Sequence, residues 1–71
     1  MSTEKLIANN IKDLIKQSGK TVLTLSQELK VPNSQIYAYI KGDYLPGALM
    51  IIKLCESLGC EYEDILGRLN S

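Results

Sequence analysis

The stretch from Thr21 to Gly42, TVLTLSQELKVPNSQIYAYIKG, decides the fold. Leu25 and Leu29 stand four residues apart, which puts both side chains on one face of an α-helix. Thr21 is a ready N-cap ahead of them, and Thr24 with Gln27 offers a capping box one turn later. Pro32 lacks a backbone donor and breaks the helical run. Asn33 or Ser34 can cap a second run, whose apolar residues are Ile36, Tyr39 and Ile40 and which Gly42 closes. Two short helices, about 21–30 and about 33–41, therefore meet across a tight turn. That is the arrangement of a helix-turn-helix.

The flanks read the same way. Before the stretch, a helix is predicted from about Thr3 to Ser18. Thr3 is its candidate cap, Leu6, Ile7, Ile11, Leu14 and Ile15 share its apolar face, and Gly19 ends it. After it, Asp43 to Gly47 reads as a loop, and Ala48 to Leu58 as a helix stopped by Gly59. Glu61 can cap a short last helix over Tyr62 to Leu66, stopped by Gly67. No segment alternates with period two. The expectation is an all-α fold of five short helices in a single domain, 1–71.

A 71-residue chain buries only roughly 60% of the surface its unfolded form exposes, so it needs an efficient core, a staple or a partner. At 45% hydrophobic and 23% charged residues, it has the composition of an ordinary globule. The longest apolar run, Ala48 to Ile52, is far short of a membrane span. Met1 to Lys5 lacks the basic-then-apolar pattern of a signal peptide, so the expected location is the cytoplasm. Cys55 and Cys60 flank a predicted helix end, where a disulfide looks badly placed; the expectation is two buried, reduced thiols. The chain has no histidine, and neither a metal nor a cofactor is expected. Nor is an enzyme expected: there is no nucleophile–base pair and no glycine-rich phosphate loop. Glu61, Glu63 and Asp64 cluster at a helix start, where carboxylates suit the macrodipole.

The whole pattern resembles the Cro/CI (XRE) helix-turn-helix family of phage repressors. Leu25, Leu29, Val31, Ile36, Tyr39 and Gly42 carry the likeness, followed by Pro46, Ile51, Lys53-Leu54, Leu58-Gly59 and Asp64-Ile65-Leu66. The resemblance implies a lambda-repressor-like domain, commonly a homodimer on operator DNA, with the third helix in the major groove. On that reading Asn33, Ser34 and Ala38 face the groove, Tyr37 lies alongside, and Lys41, Lys30 and Lys20 are within reach of phosphates. Asn can pair with adenine, Ser with several bases, and Ala can touch a thymine methyl. Capping competes for Asn33 and Ser34, and core packing is the expectation for Tyr39.

Several residues depart from the family. Its buried Arg–Glu pair between the first and third helices is replaced by Ile15 and Ile40, an exchange of a buried ion pair for apolar packing. The Gln that usually opens the second helix and meets a phosphate is Val22, followed by Leu23. Either this pair tucks into the domain or it stands exposed on the DNA-facing side. Tyr44, Leu45, Leu49 and Met50 add apolar surface, and with Val22, Leu23 and Tyr37 they make a candidate protein interface. Net charge is zero, split between +3 over residues 1–41 and −3 over residues 42–71. A domain that binds DNA unaided is usually basic.

Two functions follow. In the first, the chain is a modulator of repression or antirepressor, binding a phage-type repressor through its helix-turn-helix surface, with operator DNA touched in a ternary complex. In the second, it is a stand-alone Cro-type repressor reading an operator.

Overall fold

A computed structural model describes residues 3–67. It holds five α-helices and, among the described residues, no strand. They are α1 (Thr3–Ser18), α2 (Val22–Leu29), α3 (Asn33–Lys41), α4 (Ala48–Leu58) and α5 (Tyr62–Leu66). The bounds follow the predicted ones to within a residue, because each helix is bracketed by residues with specific end chemistry. Thr21 caps α2 from an extended conformation, its Oγ1 accepting the Thr24 N–H at 3.1 Å. Asp64 Oδ2 accepts the Glu61 N–H at 2.9 Å at the start of α5. Gly42 ends α3 at φ +82°, and the Asp43 N–H turns back onto the Ala38 carbonyl at 3.0 Å.

Four local expectations are corrected. Thr3 is itself helical, so it is not the cap of α1. Thr24 lies inside α2, so no capping box forms with Gln27. Pro32, not Asn33 or Ser34, is the N-cap of α3; its φ of −65° suits the approach to a helix, and no side chain caps that end. On α1, Leu6 points to solvent and Ala8 is buried in its stead. Ala8 faces the Gly42 turn, where a Cβ placed on Gly42 would sit 3.5 Å from Ala8 Cβ.

The core takes one fully buried side chain from every helix: Ile11, Leu25, Ile36, Leu54 and Ile65. Through them α1 packs on α3, α4 and α5, α2 packs on α3 and α4, and α4 packs on α5. Asn10 Nδ2 donates to the Ile65 carbonyl at 2.9 Å and ties α5 to α1. Ile15 is buried and Ile40, half-buried, packs against the same cluster, so both isoleucines serve the core. A lone Ile40→Glu change would place a carboxylate there with no arginine to meet it. It is expected to cost about 2–4 kcal/mol, read as a lower urea midpoint.

Candidate nucleic-acid and protein interface

The α2–α3 unit turns at Lys30, Val31 and Pro32. Lys30 adopts the left-handed conformation (φ 59°, ψ 44°), and among the described residues it is the one non-glycine residue at positive φ. The conformation lets the Lys30 and Val31 N–H groups both return to the Ser26 carbonyl. Ser26 is buried where the two helices meet, and a small side chain suits that approach. Its hydroxyl donates to the Leu23 carbonyl at 2.8 Å and meets the Asn33 side-chain amide. One buried hydroxyl therefore ties the first turn of α2 to the first turn of α3. Sequence reasoning missed this bridge, because Ser26 and Asn33 are partners only once the turn has folded.

The candidate groove-facing residues divide. Asn33, Ser34, Tyr37 and Lys41 are exposed along α3, whereas Ala38 is half-buried. Tyr39 is buried, as expected; its hydroxyl accepts from Gln35 Nε2 at 2.7 Å. Tyr44 stacks on the Tyr39 ring at a centroid distance of 6.1 Å while remaining exposed on its other side. The candidate protein-interface residues divide as well. Leu23 is 55% exposed and Leu49 67%, and Leu45 and Tyr44 are also exposed. Val22 and Met50 instead pack half-buried against the core. The open question at the start of α2 is thus answered one residue at a time: Val22 tucks in and Leu23 stands out. Through the Ser26 hydroxyl, the Leu23 backbone carbonyl and the Asn33 side chain share a partner.

A helix-turn-helix domain model matches residues 8–69, nearly the whole described chain and the turn just built. The chain belongs to the helix-turn-helix domain family. It is similar to an uncharacterized HTH-type transcriptional regulator, YgzD, of Bacillus subtilis (strain 168). The two are 30% identical over 57 residues, covering 80% of this chain and 86% of the relative. No solved structure matches it.

The charges of this helix-turn-helix domain are partly consumed internally. Lys20 Nζ pairs with Glu28 Oε1 at 2.7 Å and donates to the Ser57 carbonyl at 2.6 Å, at the C-terminal end of α4. The Ser57 hydroxyl also donates to Glu28. Lys20, one of three lysines expected near phosphates, is therefore engaged between α2 and α4, which leaves Lys30 and Lys41 exposed on the helix-turn-helix. The Lys20 and Ser57 hydrogen bonds hold the Glu28 carboxyl below the usual glutamate range. A lowered folded-state pKa stabilises the fold above the unfolded value, and that stabilisation is lost as pH falls through the folded value. Lys20→Met should remove the larger part of this contribution, leaving only the Ser57 hydrogen bond. Its unfolding free energy should then depend less steeply on pH in the acid range than that of the unsubstituted chain. Among the described residues no helix is long and apolar enough to cross a membrane, and no three metal-ligating side chains gather.

Proposed function

We propose that this helix-turn-helix domain is a transcription regulator whose α2–α3 face engages a protein partner, a phage-type repressor, in the cytoplasm. It acts as a modulator of repression of the antirepressor kind, and DNA is met inside a ternary complex. The observation that carries this reading is the exposed Leu23 in the first turn of α2. An apolar side chain stands exposed at the start of the helix-turn-helix, where it cannot hydrogen-bond a phosphate. Zero net charge supports it, since phosphate neutralisation supplies most nonspecific DNA affinity. So does the further exposed apolar surface at Tyr37, Tyr44, Leu45 and Leu49. The test is a titration of the purified chain against the repressor encoded beside it, with and without operator DNA. A defined protein complex is expected; its absence in both arms would overturn the reading.

A second reading keeps the fold's DNA role: a stand-alone Cro-type repressor, acting as a homodimer on operator DNA. Asn33 and Ser34, exposed in the first turn of α3, favour it, as does the relative's name as a transcriptional regulator. It requires sequence-specific binding by the chain alone, weakening steeply as salt rises. Asn33→Ala would then relax the base preference at one position, at a cost of about 1–3 kcal/mol.

A further inference from the structure

The C-terminal end of α4 carries chemistry that the helix-turn-helix face does not use. Gly59 ends the helix at φ +68°, and the Cys60 N–H returns to the Cys55 carbonyl at 3.0 Å. In this kind of turn the side chain just past the glycine folds back onto the last helical turn, where an apolar contact normally forms. Here both positions of that contact are cysteine. The two thiols lie close enough to raise the Cys60 thiol, and both are free. The turn thus brings Cys60 back to Cys55 across the helix end. Nor are both thiols buried: Cys55 is, but Cys60 is only half-buried. Both line an open groove with Ile52, Gly59 and Tyr62, which gives a reagent access.

We propose that Cys55 and Cys60 form a redox-active dithiol that closes to a disulfide by exchange with a small-molecule disulfide. Cys60, the more exposed, attacks first as its thiolate. It forms a mixed disulfide and releases one reagent thiol. Cys55 gives up its proton, attacks the Cys60 sulfur and displaces the second reagent thiol. Two cysteine thiols are oxidised to one disulfide, and the reagent disulfide is reduced to two thiols. Burial, the adjoining Cys55, and the Asp64 and Glu61 carboxylates push the Cys60 thiol up to about 11. Little thiolate exists at neutral pH, so closure is slow there and accelerates as pH rises.

The experiment incubates the full chain with glutathione disulfide at mildly alkaline pH and reads intact mass and a peptide map. The expected product is a monomer lighter by two hydrogens, with the bond mapped between Cys55 and Cys60. Cys55→Ser should instead hold one glutathione on Cys60. Cys60→Ser, at the half-exposed position and the milder change for folding, should neither close nor take up glutathione. The proposal is overturned if both thiols stay free, if the unsubstituted chain holds a lasting glutathione adduct, or if oxidation yields only linked dimers.

Discussion

Leu25→Ala is expected to lower the unfolding free energy by about 2–5 kcal/mol, the range for a fully buried leucine cut to alanine. Leu25 is wholly inaccessible to solvent and is the contribution of α2 to a core that draws one such residue from each helix. A domain this small sits near the lower end of the roughly 5–15 kcal/mol typical of folded proteins. The loss is therefore a large share of the total. Each kcal/mol shifts Tm by roughly 4–8 °C in a domain of this size, so Tm should fall by more than about 8 °C. Thermal and urea unfolding followed by circular dichroism check this, with the urea slope unchanged if only stability has moved.

Leu23→Asp, two residues away, should do the opposite. Leu23 is exposed, and surface changes away from special features usually stay within about 0.5 kcal/mol in stability. Its effect should fall on binding. In a protein interface the new carboxylate would be desolvated without a partner, costing about 2 kcal/mol or more, or roughly 30-fold in Kd. Calorimetric titration with the repressor partner, beside a melting curve of the same preparation, separates the two effects. Unaltered binding would remove Leu23 from the interface.

These two residues mark where sequence reasoning succeeds and where it stops. Buried Leu25 is legible because its spacing to Leu29 has one meaning in a helix. The helix ends are legible because Pro32, Gly42, Gly59 and Glu61 each impose local backbone chemistry. The fate of Val22 and Leu23 was not legible: both are apolar, adjacent and at a helix start. Only the rotation of α2 on α3 decides which one turns inward. Ala8 was missed because it packs beside Gly42, far along the chain. The engagement of Lys20 was hidden for the same reason, since Glu28 and Ser57 lie 8 and 37 residues away. The cysteine pair fell between these cases. Its turn was predicted from Gly59, but not the way that turn folds Cys60 back over Cys55. Of the candidate site, the exposure of Asn33, Ser34, Tyr37 and Lys41 agrees with a surface role. The Ser26 bridge that fixes Asn33 came only with the three-dimensional arrangement.

Leu23→Lys tests the central claim most directly, because its charge pulls the two functions apart. A lysine at this position favours phosphates but places an unpaired cation in an apolar protein contact. The measurement is the affinity of the unsubstituted chain and of Leu23→Lys for the repressor partner and for operator DNA, each alone, at low and physiological salt. The account predicts a repressor complex that weakens at least about tenfold on substitution, while binding to DNA alone stays weak and nonspecific in the unsubstituted chain. Tight, sequence-specific DNA binding by the unsubstituted chain, strengthened by Leu23→Lys and with no repressor complex, would contradict it.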